Sequence, residues 1–336
     1  MNKRNKIVAL IAIIFIIVGG ILIAYYRRSP SNPSTLQSVS LRLPIPAVDT
    51  AFAPYYLAID KGIFAKYGLD VKLEAGTPEL NPIKMVSQGT DQFGIVGGPE
   101  LLFSGRSKGA PIIGIALLHK DADFTIIVAL KKSGITKLED LQGKKVGFFY
   151  GHISTDILHM LFKKQNIQVQ EVDVGFDYGQ LISQNIDAEW AFRTTAGISL
   201  PARGVEINTI SPADYGILTQ GHTLITNENW AKDNPALAQS FLNAVLEATK
   251  YSIEHQQEAI DAAIKRDPNF KQEVGQKQME IYTPTILKNK RIGWIAPEDM
   301  ERTKQQMLDL GLIQANFDTK SAYTVQFLES YYQGKE

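Results

Sequence analysis

The chain contains no cysteine among its 336 residues. This absence excludes disulfide bonds, metal sites with thiolate ligands and a cysteine nucleophile. It also excludes the lipid-carrying cysteine that anchors many bacterial binding proteins to the membrane. The absence leaves the cellular compartment undecided.

An excess of charge of either sign is also missing. Lys and Arg together number 35, and Asp and Glu together also number 35. No Lys/Arg block longer than two residues follows the first few positions, so no positive surface for a polyanion is indicated. The balance argues against a nucleic-acid partner.

The common catalytic signatures are absent as well. The sequence has no HExxH, no GxxxxGK[ST], no GxSxG and no GxGxxG after a strand. Its five histidines are scattered without the spacing of metal ligands: His119, His152, His159, His222 and His255. We therefore predict no catalytic residue, no metal and no cofactor, and expect that the chain is not an enzyme.

The N-terminal region is the most apolar part of the chain. Residues Ile7 to Tyr26 carry no charge over 20 positions, enough to cross a hydrocarbon layer of about 30 Å. We predict a transmembrane anchor within residues 1–28 and a Ser/Pro-rich linker at 29–38. A cleaved signal peptide and a buried core helix are the alternatives. The flanking basic residues favour a cytoplasmic N-terminus only slightly.

The rest of the chain alternates strand and helix patterns. Val39, Leu41 and Leu43 alternate with polar residues, as in a strand with one buried face. A second strand–helix series begins at residues 125–130 (TIIVAL), and the chain becomes mainly helical beyond Asn227. This order predicts an α/β fold with two mainly parallel sheets covered by helices. In such folds ligands bind beyond the carboxyl ends of strands.

The loops after those strands supply the candidate ligand-binding residues. They combine rings, hydroxyl groups, charged groups and glycines ahead of helices. For each loop a structural interpretation is also open: a capped helix start at Asp49, a tight turn at Gly97 and Gly98, and core packing for Trp190. The candidates are Asp49, Thr50, Phe52, Gly97, Gly98, Glu100, Phe149, Tyr150, Gly151, His152, Ser154, Thr155, Trp190, Phe192 and Arg193.

Several segments together resemble the NMT1/THI5-like family of ABC-transporter binding proteins. The resemblance begins at APYYLAIDKGIFAKYGLDVKLE and continues through QGTDQFGIVGGPELL, SKGAPIIGIALL, KKSGITKLEDLQGKKVGFFYG and EVDVGFDYGQLISQNIDAEW. The motifs occur in family order and cover roughly residues 39–332. Singly each motif is weak, and together they are fairly specific.

The resemblance implies a type II periplasmic-binding-protein fold, in which two lobes close on a ligand about a two-strand hinge. By analogy the hinge crossings are expected near Asp121 to Thr125 and Tyr215 to Thr226. Residues 39–123 and the helix-rich return at 223–336 would form one lobe, and residues 124–222 the other. The implied partners are a small-molecule ligand and the permease and ATPase subunits of an ABC importer, with the domain as an extracytoplasmic monomer.

Within the family, VDVGFD and TVQFL look most like the formylaminopyrimidine-binding branch. That branch usually carries an aromatic and an Asn in the first loop and a Glu after the IDA strand, whereas this chain has PAVDTAF and AFRTTAG. The resemblance therefore leaves a thiamine-precursor pyrimidine, a sulfonate such as taurine, and nitrate open as ligands. A membrane-tethered sensing domain is the alternative function. A pyrimidine-synthesis enzyme is more remote, because the related fungal synthases use a cysteine-rich stretch.

Overall fold

A computed structural model describes residues 36–334, apart from residues 78, 151, 152 and 176. The predicted membrane segment, Ile7 to Tyr26, lies outside these residues. Within them, no helix combines the length and the apolar character needed to span a membrane. Apart from the first residue of β1, all elements described below belong to one unit, Ser38–Glu336.

The first sheet has five strands in the order β2-β1-β3-β10-β4. They are β1 (Gln37–Arg42), β2 (Leu69–Glu74), β3 (Phe93–Val96), β4 (Ile112–Leu117) and β10 (Thr223–Asn227). β1 is parallel to β3, with Leu41 opposite Phe93. β10 is antiparallel to both of its neighbours, β3 and β4.

The second sheet also has five strands, in the order β7-β6-β8-β5-β9. They are β5 (Thr125–Leu130), β6 (Lys145–Phe148), β7 (Gln170–Asp173), β8 (Ala188–Phe192) and β9 (Ile207–Ile210). β6 is parallel to β7 and β8, whereas β5 is antiparallel to β8 and β9.

The expectation of mainly parallel sheets is therefore confirmed only in part, because both sheets are mixed: β10 in the first and β5 in the second run against their neighbours. A strand–helix–strand unit makes neighbouring strands parallel, since the helix returns the chain to the same end of the sheet. β5 and β10 instead follow segments that pass from one sheet to the other. Each of these two strands runs against its neighbours.

Helices cover both sheets. They are α1 (Ala53–Asp60), α2 (Ile63–Lys66), α3 (Pro82–Ser87), α4 (Pro99–Ser107), α5 (Ile153–Lys164), α6 (Gly179–Ile182), α7 (Ala196–Ala202), α8 (Glu228–Asp233), α9 (Pro235–Glu254), α10 (Gln256–Arg266), α11 (Gln272–Leu287), α12 (Pro297–Asp309) and α13 (Gln326–Tyr332). Short 3₁₀ helices lie at Thr50–Phe52, Lys131–Ser133, Leu138–Leu141, Pro212–Tyr215 and Thr319–Ala322. Pro stands at the start of five of these helices, where its fixed φ suits the first turn and its missing N–H is not needed.

The fully buried strand β5 shows how the second sheet is covered. Ile127 and Ala129 belong to a core that also contains Leu158 and Leu161 of α5. The alternating residues Ile126 and Val128 belong to a different core on the opposite face. A strand with both faces buried is expected to be apolar almost throughout, as β5 is after Thr125.

Two segments cross between the sheets, residues 118–124 and residues 211–222, and we call them the crossover segments. They are hydrogen bonded to each other: Gly221 N donates to His119 O at 2.8 Å and Ala122 N to Thr219 O at 2.9 Å. A Cβ atom at Gly221 would lie 2.7 Å from that of His119. Such a separation is closer than real Cβ atoms approach, so the two segments can pass here only because residue 221 is glycine.

Candidate functional site

The loop after β1 forms a buried 3₁₀ turn capped by Asp49. Oδ1 of Asp49 accepts a hydrogen bond from Ala51 N at 2.8 Å, which fixes the start of the helical segment. Asp49, Thr50 and Phe52 are all buried. Three predicted residues thus lie at the carboxyl end of a strand of the first sheet, with Asp49 capping the turn in addition.

Gln278, on α11, lies against this loop. Its Nε2 donates to Oδ2 of Asp49 at 2.9 Å and to the carbonyl oxygen of Thr194 at 3.1 Å. Its Oε1 accepts from both the backbone N and Oγ1 of Thr50, each at 3.1 Å. The side chain of Gln278 is buried and joins the loop after β1 to the loop after β8.

Burial sets the ionisation of this region. Desolvation raises the pKa of Asp49 to about 6, although the hydrogen bonds from Ala51, Tyr282 and Gln278 favour the charged form. The hydroxyl of Tyr282 interacts with Asp49 and Thr194, and burial together with the Asp49 carboxylate holds the pKa of Tyr282 well above its usual value. The Asp49 carboxylate is therefore engaged by protein groups in this structure.

The loop after β6 divides the predicted residues into two sets. Ser154 and Thr155 are buried: Oγ of Ser154 accepts from Oγ1 of Thr125 at 3.0 Å, and Oγ1 of Thr155 donates to Phe149 O at 2.6 Å. Tyr150 is 46% exposed, and its hydroxyl donates to Glu171. The predicted residues Gly151 and His152 lie outside the part of the chain that the structure describes.

A ring cluster lies at the carboxyl end of β8. Trp190 is 0% exposed, and its ring centroid lies 5.5 Å from that of Phe149 and 5.1 Å from that of Phe192. Phe149 and Phe192 are partly buried at the border of the same core. Trp190 is thus a core residue in this conformation, and the two phenylalanines are the more accessible rings.

Arg193 binds the first crossover segment. Its Nε donates to Asp123 O at 2.9 Å, and its Nη2 lies 2.5 Å from Oδ2 of Asp123. Ser211, from the second crossover segment, donates to the other carboxylate oxygen of Asp123. Charge-assisted bonds of this kind are the stronger hydrogen bonds in proteins. They hold the loop after β8 to both crossover segments.

The loop after β3 approaches the second crossover segment. Gly97 is exposed and Gly98 is buried, and a Cβ atom at Gly98 would lie 2.9 Å from Gln220 O and still closer to the Glu100 carboxylate. Desolvation raises the pKa of Glu100 to about 7, against the hydrogen bonds from the backbone at Glu100 and Gln220. Gly98 therefore allows a close backbone approach, as predicted for a tight turn or a ligand loop.

A second ring cluster surrounds the crossover segments. Phe52 stacks on His222 at 5.5 Å, and His222 packs edge-on against His119 at 5.1 Å. Nδ1 of His119 lies 2.8 Å from Oγ1 of Thr285. Burial lowers the pKa of His222 to about 4 and that of His119 well below its usual value. Both histidines are neutral at pH 7.

Three of the four predicted loops are thus connected. Gln278 joins the loops after β1 and β8, and the Phe149–Trp190 contact joins the loops after β6 and β8. The loop after β3 contacts the second crossover segment instead. Tyr150 bonds Glu171, and its ring lies near Phe148 and His159.

Sequence reasoning missed Gln278, Tyr282, Thr194 and His222. A signal for two of them lies in α11, whose buried residues recur at helical spacing. That buried stripe should be apolar, yet it contains Gln278, Tyr282 and Thr285. Polar side chains on a buried stripe must find partners, so they mark a contact with polar groups elsewhere.

A family model described as NMT1/THI5 like matches residues 49–259. A formylaminopyrimidine-binding protein of Halalkalibacterium halodurans is 26% identical over 293 residues, which cover 83% of this chain and 85% of that protein. A riboflavin-binding protein of Chloroflexus aurantiacus is 23% identical over 319 residues, which cover 89% and 88%.

Relatives of a different kind also match. A 4-amino-5-hydroxymethyl-2-methylpyrimidine phosphate synthase of Saccharomyces cerevisiae is 26% identical over 259 residues, covering 72% of this chain and 76% of that protein. Among solved structures, the periplasmic aliphatic sulphonate binding protein of Escherichia coli superposes with a TM-score of 0.70 at 16% identity. That match covers 85% of this chain and 91% of the other, and it shows a shared fold.

Proposed function

Because the chain belongs to the NMT1/THI5-like family, we propose that it is the extracytoplasmic solute-binding component of an ABC importer. It captures a small solute reversibly and breaks no bond. The observation that carries this proposal is the convergence of the loops after β1, β6 and β8 on connected ring and polar clusters. Small-molecule sites in proteins combine aromatic rings with a few polar groups in this way.

A planar or anionic solute suits these loops best. The partly buried rings of Phe149 and Phe192 would contact a flat ligand, and stacking on aromatic rings tolerates several ring systems. Arg193 would supply a positive charge if it exchanged Asp123 for a ligand anion. Relatives that bind a formylaminopyrimidine and riboflavin support a planar heterocycle, while the sulphonate-binding fold keeps sulfonates and nitrate among the candidates.

Lobe closure would turn binding into a signal for the permease. Residues 39–123 with 223–336 would form one lobe, residues 124–222 the other, and the crossover segments the hinge. A ligand drives closure only through greater affinity for the closed form. The direct hydrogen bonds between the crossover segments support a hinge in which both segments bend together.

A thermal-shift screen tests the function. Pyrimidines, riboflavin, taurine, alkanesulfonates and nitrate are each added to the purified domain. A true ligand at about 100 times its Kd stabilises the protein by about 2.7 kcal/mol, which raises Tm by several degrees. Mass spectrometry of the ligand after prolonged incubation should show it unchanged, and a chemically altered pyrimidine would instead support the synthase-like activity.

Ring substitutions locate the site once a ligand is found. Phe149→Leu and Phe192→Leu should each weaken binding about fivefold, because a ring contact contributes about 1 kcal/mol. Phe317→Leu is the matched control and should leave Kd unchanged, because Phe317 packs against Phe103 of α4, away from these loops. Unchanged affinity in both loop variants would remove the loops after β6 and β8 from the site.

The membrane attachment is part of the same proposal. With no cysteine for lipidation, residues Ile7 to Tyr26 would hold the domain at the membrane as an uncleaved anchor. The intact mass of protein extracted from membranes separates an anchor from a cleaved signal. Co-purification with a permease and an ATPase supports transport, whereas recovery with a signalling partner alone would favour the tethered sensing domain.

A further inference from the structure

The side chain of Gln278 hydrogen bonds four groups: Asp49 Oδ2, Thr194 O, and the backbone N and Oγ1 of Thr50. This combination of donors and acceptors matches a carboxamide side chain. Oδ2 of the Asp49 carboxylate and Thr194 O can only accept hydrogen bonds, whereas Thr50 N can only donate. A carboxamide meets these demands with two N–H donors and one oxygen with two lone pairs. If the positions of Oε1 and Nε2 were exchanged, Oε1 would face the two acceptors and Nε2 would face the donor Thr50 N. The orientation of Gln278 is therefore determined by its partners.

The partners of Gln278 come from both sides of the crossover segments. Asp49 and Thr50 follow β1 of the first sheet, and α11 lies in the chain segment that follows β10. Thr194 follows β8 of the second sheet, next to Phe192 and Arg193. The bond from Gln278 Nε2 to Thr194 O thus links the two halves of the domain directly.

A second α11 residue repeats this arrangement. Tyr282 lies four residues after Gln278, so the two side chains project from the same side of the helix. The Tyr282 hydroxyl interacts with the side chains of both Asp49 and Thr194. Both α11 residues therefore contact the same carboxylate on one half and the same threonine on the other.

We propose that Gln278, assisted by Tyr282, is a positioning residue that couples the first ligand loop to lobe closure. In the closed form its amide holds the Asp49 turn and binds Thr194 at the same time. When the lobes separate, the Thr194 bonds break while those to Asp49 and Thr50 remain within one lobe. This inference rests on the hinge closure of the proposed function and assigns the closing contact to named residues.

The test measures closure without any ligand. Because the chain has no cysteine, Lys108→Cys and Lys144→Cys place two fluorophores on exposed positions, one beside each sheet, without background labelling. Single-molecule energy transfer then gives the closed and open populations. Gln278→Met should lower the closed-to-open ratio about fivefold, because the hydrogen bond to Thr194 O, which only the closed form makes, is lost. Gln276→Met, exposed on the same helix, is the control and should leave the ratio unchanged.

A milder variant, Gln278→Asn, covers the case in which Gln278→Met fails to fold: it keeps a carboxamide but shortens the side chain by one methylene, so we expect it to lose the bond to Thr194 O and to lower the closed-to-open ratio as well. Thr194→Val and Tyr282→Phe test the second contact, because each removes one hydroxyl of the interaction between Tyr282 and Thr194. A double-mutant cycle on the closed-to-open ratio should show coupling, so that the second substitution has little effect once the first is present. Tyr251→Phe, which removes a hydroxyl bonded to Glu258, should act independently of Thr194→Val.

The outcomes distinguish the proposed role of Gln278 and Tyr282 from the proposed function of the protein. If Gln278→Met or Gln278→Asn is folded and leaves the closed-to-open ratio at the wild-type value, the proposed role of Gln278 is overturned even when ligands bind normally. A cycle without coupling would remove Tyr282 from the contact between the lobes. If Gln278→Met lowers the closed-to-open ratio as expected but no compound of the screen binds the wild type, the role of Gln278 in closure is supported and the proposed importer function loses its support. Where a ligand is found, Gln278→Met should raise its dissociation rate about fivefold and leave its association rate nearly unchanged.

Discussion

Glu189 places a carboxyl group inside the core on one face of the second sheet. It is 1% exposed, and Oε2 has no hydrogen-bond partner among the described residues. The absence of a side chain at Gly147 leaves room for it, since a Cβ atom there would lie 3.1 Å from Cγ of Glu189. Desolvation, with a smaller contribution from the Asp177 charge, raises the pKa of Glu189 to about 7. A charged Glu189 therefore costs stability.

The substitution Glu189→Gln should stabilise the protein at alkaline pH. The folded-state pKa of about 7 exceeds the unfolded value near 4.5, so the folded state binds more protons between these values and stability falls as pH rises through them. Glutamine removes this dependence. Relative to the wild type, the variant should gain about 2 kcal/mol in free energy of unfolding between pH 5 and pH 8.

Urea unfolding of both proteins at the two pH values measures this difference. The exposed Glu139→Gln variant serves as a control for the loss of a surface charge and should show no such gain. An equal free-energy difference between Glu189→Gln and wild type at pH 5 and pH 8 would mean that Glu189 is not held protonated by the core.

Some of the candidate site residues could be predicted from the sequence, and others could not. Asp49 and Phe52 lie in the loop after β1 and Phe192 is the last residue of β8, so position along the chain was enough to single them out. Gln278 stands 229 residues from Asp49, and nothing local marks the contact except its place on a buried helical stripe. Partners so far apart in sequence are set by which parts of the chain pack together in the fold. The spacing of apolar residues reports only on local structure and does not predict such contacts.

At the scale of elements, a single glycine separates two helices where the spacing of apolar residues predicts one continuous helix. Residues 53–67 have a continuous helical pattern, yet α1 ends at Asp60 and α2 begins at Ile63. Gly62 lies between them with φ of +67°, a left-handed conformation that only glycine adopts without strain. The apolar spacing survives the turn, which is why the pattern alone did not reveal the break.

Gly62→Ala should therefore destabilise the domain by about 1 kcal/mol. No atom lies within 4 Å of the position that the new Cβ would take, so the cost comes from the backbone and not from a clash. Gly175→Ala is the matched control, because that site is equally open but has no left-handed φ. Thermal unfolding compares the two, and equal Tm values would show that residue 62 tolerates the left-handed conformation without glycine.

The strand pattern shows a different limit. The strands predicted at residues 39–43 and 125–130 coincide with β1 and β5 within a few residues. Their direction was not predictable in the same way, because alternation of apolar residues is the same in parallel and antiparallel strands. The antiparallel placement of β5 and β10 follows from the crossovers, which are a property of the whole chain.

For the whole molecule, buried acids and buried histidines act against each other as pH changes. Burial raises the pKa of Glu100 and Glu189 to about 7 and that of Asp49 to about 6, so these groups favour the folded state as pH falls. Burial lowers the pKa of His222 and His119, so these groups favour unfolding as pH falls below about 6.5. Between pH 8 and pH 6.5 the acids have the larger effect on stability, because the unfolded state begins to protonate these histidines only near the lower end of this range.

The domain should accordingly be more stable at pH 6.5 than at pH 8, by about 1 kcal/mol or more. Below pH 6 the histidines should offset further gains. Urea midpoints measured at intervals between pH 4 and pH 8 provide the test. A midpoint that rises steadily to pH 8 would contradict the inference that buried carboxyl groups dominate the neutral range.

The position of β10 also has a consequence for synthesis. The first sheet needs β10 between β3 and β4, so its two parts cannot join until residues 223–227 have left the ribosome. All strands of the second sheet lie within residues 125–210, and that sheet can assemble while the rest of the chain is still being made. During this interval the apolar edges of β3 and β4 have no partner. Translation is therefore the stage at which this protein most needs protection from aggregation.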